Sequence, residues 1–372
     1  MQRPFLLKIA KCFRSVSTDA LNVLTGIPPL HIHLKYTAIT FKTKRLRINS
    51  VLNDHTIQAD DYDLTSRNQH NYNSNLHQFI LPLTITESND DSTINVYTDG
   101  SKTDAGTACA FIAMKEMDII FSSSKTLRPN NSVFQAEIQA IHLAIDWIHD
   151  HFSMDHFTSN KFHIRSDSLS VIKALLNYEP KSMLIFQLQS KLINLRHIVT
   201  ISWIKGHSNN NGNDFADQLA KDATNSATDL ITPFPMSQLK KDINQFLLKD
   251  WQSYWDHSSN GRWTYDFFNT VSLSRLQSSP LNQFTTNHGL THSYLHARNL
   301  LESPYCICGE LGDFEHFFFH CRFTSNFHVV ISSNLRAQWK RFIFIDKEAY
   351  RKALSLINFL FQNKQLLFPA LS

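Results

Sequence analysis

The feature that most restricts the fold is a change of hydrophobic period near residue 94. Three strand-like runs follow in quick succession: INVYTD (94–99), GTACAFIAM (106–114) and a third at 118–125. The gaps between them are only a few residues. A parallel pair needs a crossover of a dozen or more residues, so these strands must run antiparallel, as a meander. Helical spacing takes over at 132–151. Ser132 and Gln135 form a capping box there, and Val133, Ala136, Ile141, Ala144 and Ile148 supply an apolar stripe. FHIRS (162–166) predicts a fourth strand, 169–177 and 182–194 two helices, IVTISWI (198–204) a fifth strand, and 213–223 a further helix. The order βββαβααβα predicts an α/β fold: a mixed five-stranded sheet, three antiparallel strands first, with flanking helices.

The flanks are of another kind. Residues 4–24 predict a helix that Pro28-Pro29 stops, and 33–48 a second, basic one with Lys35, Lys42, Lys44, Arg45 and Arg47. Residues 49–92 read as polar linker with a short strand at 78–83. Residues 224–236, with Pro233 and Pro235, read as a second linker. Helix returns at 237–256, and the last fifty residues are apolar and helical in pattern. Hydrophobic residues make up 42% of the chain and charged residues 18%, which excludes a disordered protein. The five cysteines are odd in number and unevenly spaced, unlike a secreted disulfide framework. No apolar run is long enough to span a bilayer. A net charge of +4 fits a nucleic-acid partner without selecting one. Arg3, Lys8, Lys11 and Arg14 precede the first acid, Asp19; they read either as a transit peptide or as a basic amphipathic helix with Phe5, Ile9 and Phe13 on one side.

Four acids stand where chemistry would need them. Asp99 ends the first strand of the meander, Glu137 lies in the first two turns of the capped helix, Asp167 follows the fourth strand, and Asp217 sits in the helix after the fifth. Acids at the ends of separate elements can converge on one side of a sheet. Converging carboxylates repel one another unless cations join them, and Mg²⁺ takes carboxylate oxygens. Each acid alone also suits a cap, a turn or a solvated face. Asp214, three residues before Asp217, competes with it for the same side of the helix. Near the end, Cys306, Cys308, His316 and Cys321 offer a tetrahedral Zn²⁺ set, with His320 as a rival to His316; the alternative is three buried thiols and a core histidine.

YTDGS (97–101), FQAEIQAI (134–141), SDS (166–168) and WIKGHSNNNGNDFADQLAK (203–221) together resemble the type 1 ribonuclease H family. The closest likeness is to the ribonuclease H domain at the end of non-LTR retrotransposon polyproteins. The resemblance implies a ribonuclease H-like sheet and endonucleolytic cutting of the RNA strand of RNA–DNA hybrids, leaving 3′-hydroxyl and 5′-phosphate ends. It carries Asp99, Glu137, Asp167 and Asp217 over as the ligands of two Mg²⁺ ions, which Mn²⁺ can replace. His207 becomes the histidine that helps proton transfer or product departure. Phe134 stands where some cellular relatives have an asparagine, although the retroelement branch commonly has Phe, and no long basic insertion separates the helices ending near 177 and starting near 182. The resemblance extends outward: 2–30 looks like a post-polymerase segment, which favours the helix over the transit peptide, and 306–321 looks like a zinc knuckle. The expected organisation is a helical post-polymerase remnant at 1–50, a linker at 51–91, the ribonuclease H domain at 92–224, a linker at 225–236, and a mainly helical region at 237–372. On this reading the chain is the C-terminal third of a retrotransposon polyprotein. Its expected partners are RNA–DNA hybrid and retroelement RNA or DNA, with no membrane and no protein partner legible. Its expected location is nuclear or cytoplasmic rather than secreted. The alternative function is a non-catalytic nucleic-acid-binding remnant.

Overall fold

The computed structural model describes residues 2–52, 55–63, 93–152, 161–177, 179–206, 210–226, 228–274 and 281–368. The strand expected at 78–83 and the candidate His207 lie outside the described residues. The chain divides into two compact units, one of Ala38–Ile243 and one of Met1–Thr37 together with Asn244–Ser372.

The single helix expected over 4–24 is two. Helix α1 (Arg3–Ala10) ends at Lys11, whose φ of 52° lies in the left-handed region. Ser17 then starts α2 (Thr18–Thr25) afresh, its side chain accepting from the Ala20 N–H. Helix α3 (Leu30–Phe41) runs into a π-helical turn, Lys42–Leu46. A small hairpin that the polar composition had hidden follows, β1 (Ser50–Leu52) antiparallel to β2 (His55–Ile57). Strands of three residues are too short to carry a readable alternation.

The main sheet contains β3 (Thr93–Lys102), β4 (Thr107–Lys115), β5 (Asp118–Leu127), β6 (Lys161–Ser166) and β7 (Val199–Trp203), in the spatial order β5-β4-β3-β6-β7. The first three pair antiparallel, and β3–β6 and β6–β7 pair parallel. The expected mixed sheet is therefore present, with its antiparallel strands first. The crossovers are helical: α4 (Val133–Phe152), α5 (Leu169–Leu175) and α6 (Met183–Asn194), with α7 (Asn211–Ala223) after β7.

Strand alternation divides the core. Ile94, Val96, Phe111, Phe162, Ile164 and Ile201 meet the apolar sides of α4, α5 and α6 on one face. On the other face Tyr97, Ile112 and Met114 meet Ala216 and Leu219 of α7. Strand β3 is thus covered on both sides. The buried stripe of α4 includes Ala136, Ile141, Ala144 and Ile148 as expected, but Val133 at its first turn is exposed. Two glycines let the layers close. A Cβ at Gly100 would overlap the backbone of Ala136 and Glu137, and one at Gly212 would overlap the Tyr97 ring.

The rest of the chain is mainly helical, as expected. It comprises α8 (Met236–His257), α9 (Arg262–Phe267), α10 (Leu281–Thr286), α11 (His292–His296), α12 (Phe314–Phe319), α13 (Trp339–Ile345), α14 (Lys347–Gln362) and α15 (Lys364–Leu367). Phe284, Phe314, Phe317, Phe318, Ile343 and Leu356 form its core. All five cysteines are free thiols. Among the described residues no helix is long and apolar enough to cross a membrane.

Gly100→Ala forces β3 and α4 apart at their tightest approach. It should destabilise the protein by about 2 kcal/mol, within the usual range for overpacking. Urea unfolding measures this, and an unchanged midpoint would contradict the packing described.

Candidate active site

The acids are placed by backbone features already named. Asp99 lies on β3 one residue before Gly100, so the close approach of α4 at that glycine brings Glu137 beside it. The start of α4 is fixed by the expected capping box. Ser132 Oγ accepts from the Gln135 N–H at 3.3 Å, and Gln135 Oε1 accepts from the Ser132 N–H at 3.3 Å. Gln135 Nε2 also donates to the Pro233 carbonyl at 2.8 Å, and Asn131 Nδ2 donates to the same carbonyl at 2.9 Å. Asp167 follows β6, which pairs directly with β3.

Ligand oxygens of Asp99, Glu137 and Asp167 all lie within 4.8 Å of one another. Asp99 and Glu137 are buried and Asp167 half-buried. Burial and the neighbouring Asp167 and Asp217 push the Asp99 carboxyl up to about 7. Burial and Asp99 push Glu137 up to about 9, against a favourable backbone N–H from Gly100. Glu137 Oε2 is buried with no hydrogen-bond partner among the described residues. A buried carboxylate oxygen without a partner is costly, and three acids sharing one site aggravate one another. This set of hard, crowded oxygens fits a divalent cation such as Mg²⁺ or Mn²⁺.

Asp217 stands apart from these three. Its carboxylate is paired with Lys221, one turn on, at 2.6 Å, yet Asp99 and Glu137 both feel its charge. Its rival Asp214 is exposed in the first turn of α7, where an acid complements the helix dipole. His207 cannot be placed among these groups, because it lies outside the described residues.

Two further residues reach Asp167. Asn213 Nδ2 donates to Asp167 Oδ2 at 3.3 Å, and its own Oδ1 is buried without a hydrogen-bond partner among the described residues. Trp203 Nε1 donates to the Asp167 backbone carbonyl at 3.0 Å. Sequence reasoning missed both. The only signal for Asn213 was its position four residues before Asp217, on the same side of α7.

In the other unit, ligand atoms of Cys306, Cys308, His316 and Cys321 lie within 4.8 Å of one another. The Cys306 and Cys321 sulfurs are 3.8 Å apart, close to the edge of a tetrahedron with Zn–S bonds of about 2.3 Å. Cys308 Sγ is 3.1 Å from His316 Nε2. Asp313 caps the short helix α12, accepting from the His316 N–H at 2.8 Å, and so fixes where His316 begins. His320 instead lies against Arg336, at 3.0 Å, outside the cluster. Burial raises the Cys306 thiol to about 12. Soft sulfur donors with one imidazole fit Zn²⁺, which would hold the sulfurs as thiolates.

Comparison with known proteins adds an independent finding. Residues 91–225 match the family model described as RNase H. The chain is 31% identical over 121 residues to the retrovirus-related Pol polyprotein from type-1 retrotransposable element R1 3 of Nasonia vitripennis, covering 29% of this chain and 32% of that protein. It is 36% identical over 78 residues to the corresponding R1 polyprotein of Bradysia coprophila, covering 20% of this chain and 8% of that protein. The matched stretches thus span a third or less of these relatives. Among solved structures, RNase H1 from Halobacterium salinarum aligns with 36% of this chain and 99% of its own, at 20% identity and a TM-score of 0.29.

The raised carboxyls give a pH prediction for metal-free protein. A carboxyl whose folded value exceeds its unfolded value contributes stability fully below the unfolded value, about 4. That contribution fades as pH rises through about 7 for Asp99 and about 9 for Glu137. Metal-free protein should therefore melt at lower temperature at pH 9 than at pH 6, and Glu137→Gln should flatten the slope. Calorimetry in the absence of divalent ions measures both, and equal slopes in the two proteins would contradict the burial described.

Proposed function

We propose that the ribonuclease H family domain at residues 91–225 makes this protein a metal-dependent endonuclease acting on RNA–DNA hybrids. It hydrolyses the RNA strand, leaving 3′-hydroxyl and 5′-phosphate ends. The observation that carries this reading is the convergence of Asp99, Glu137 and Asp167, two of them buried, with a Glu137 oxygen that has no hydrogen-bond partner among the described residues.

Asp99, Glu137 and Asp167 would hold divalent cations, with Asp217 completing the set once Lys221 releases it. When bound, such ions supply an activated water and neutralise the charge that develops on the scissile phosphate. The chain's own contribution is placement. Gly100 and the capping box fix Glu137, while Asn213 holds the Asp167 carboxylate and Trp203 holds its backbone. His207 is proposed to help proton transfer or product departure. Recognition of the ribose 2′-hydroxyl distinguishes RNA from DNA. In the second unit Cys306, Cys308, His316 and Cys321 would hold one structural Zn²⁺.

Three measurements test this. Purified protein with Mg²⁺ should cut the RNA of a labelled hybrid and leave RNA–RNA and DNA–DNA duplexes intact, and Asp99→Asn should lower the rate at least about a hundredfold. Hybrid left uncut by folded protein would favour binding without catalysis. Asn213→Leu should lower cutting about tenfold or more and be partly rescued by higher Mg²⁺ concentration, because it loosens Asp167 without removing it. Metal analysis should find one zinc per chain, lost in Cys308→Ser, and chelation should lower the melting temperature of the unit that holds it. A zinc-free protein with unchanged melting would contradict the assignment.

A further inference from the structure

A run of cations leads into the unit that holds the three acids, and most of it is unbalanced among the described residues. No acid occurs between Asp19 and Asp54, and five cations do: Lys35, Lys42, Lys44, Arg45 and Arg47. Two of the five are neutralised. Lys35 pairs with Asp250 at 2.7 Å and Arg47 with Asp60 at 3.0 Å. Lys42, Lys44 and Arg45 are exposed and form no ion pair among the described residues. All three lie in the π-helical turn Lys42–Leu46, while Thr43 between them is fully buried. The turn thus directs its charges outward and tucks its one small residue inward. Single π-helical turns are rare and concentrate at functional sites.

The turn is held firmly at its far end. Arg47 adopts a left-handed φ of 56°, and its backbone N–H caps the turn by donating to the Lys42 carbonyl. Its guanidinium reaches both Asp60 and the Tyr62 carbonyl, the latter at 3.4 Å. Residues 61–63 in turn pair with Phe234: the Asp63 N–H donates to its carbonyl at 2.8 Å, and its N–H donates to Asp61 at 2.6 Å. Pro233, next in the chain, takes the Gln135 bond that pins the start of α4. A continuous set of hydrogen bonds therefore ties the cationic turn to the helix that carries Glu137.

We infer that Lys42, Lys44 and Arg45 form a phosphate-backbone anchor for the nucleic acid cut by this same unit. The inference rests on the hybrid-cutting reading above and adds a binding surface outside the family match. The chain lacks a long basic insertion between α5 and α6, so additional cations outside the family match have a role to fill. Charge complementarity supplies the argument: a rigid, uncompensated cationic turn meets a polyanion by releasing its counterions. Exposed Phe41 and Leu46 flank the cations, which gives an anionic lipid surface as the competing occupant.

The test uses the full chain with Asp99→Asn, so that binding is read without cutting. Fluorescence anisotropy of a labelled RNA–DNA hybrid is followed across a salt series in Mg²⁺. Lys42→Gln, Lys44→Gln and Arg45→Gln together should weaken binding about tenfold and lower the slope of log affinity against log salt by about 2 to 3. Their melting temperature should match the parent. An unchanged slope overturns the inference. So does a variant that keeps hybrid binding but loses binding to phosphatidylserine vesicles, which assigns the turn to a membrane. Cleavage by the unmodified chain is scored separately, so failure of the enzyme reading is distinguishable from failure of the anchor.

Discussion

Repulsion among three crowded carboxylates, two of them buried, organises the unit that contains the sheet. Asp99, Glu137 and Asp167 could each be solvated at little cost on their own. Held within 4.8 Å of one another, they crowd their charges; burial and the neighbouring acids raise the proton affinity of Asp99 and Glu137, and Glu137 Oε2 has no hydrogen-bond partner among the described residues. Folding would discard such an arrangement unless something outside the chain relieved it. A divalent cation does so directly, turning mutual repulsion into shared attraction. The stability of the metal-free protein and the chemistry of the metal-bound one are then two readings of the same charge cluster.

The fold meets this constraint by making its backbone approaches tight. Strand β3 is central and covered on both faces, so Asp99 cannot swing out to water. Gly100 admits the backbone of α4, and Gly212 admits α7 onto Tyr97. The hydrogen bonds from Asn131 and Gln135 to Pro233 show that the start of α4 is fixed partly by residues beyond the family match at 91–225. The Cys and His cluster uses the opposite economy. A short, capped helix and a left-handed Gly309 bring four ligands together from a segment of sixteen residues, 306–321.

Much of this was legible in the sequence because it rests on local signals. The capping box at Ser132 and Gln135 is a spacing rule, and the structure obeys it. The meander at 94–125 follows from connection length alone. What escaped depends on tertiary placement. Asn213 matters because α7 lies where its amide reaches Asp167, and no local pattern says so. The helix expected over 4–24 breaks at Lys11 and restarts at Ser17, although its apolar spacing runs on. Val133 fits the stripe of α4 by period yet sits at the exposed first turn. His316 and His320 are both near the cysteines in sequence, and only the cap at Asp313 and the contact of His320 with Arg336 separate their roles.

Manganese binding tests most directly whether the three acids form a cation site. Electron paramagnetic resonance of Mn²⁺ titrated into the folded chain should show bound ion whose affinity rises from pH 6 to pH 8, as Asp99 gives up its proton, and further towards pH 9 as Glu137 follows. The paired substitution Asp99→Asn with Asp167→Asn should abolish it. Free Mn²⁺ at pH 8 in the presence of folded protein, or binding undiminished by those substitutions, would contradict the account.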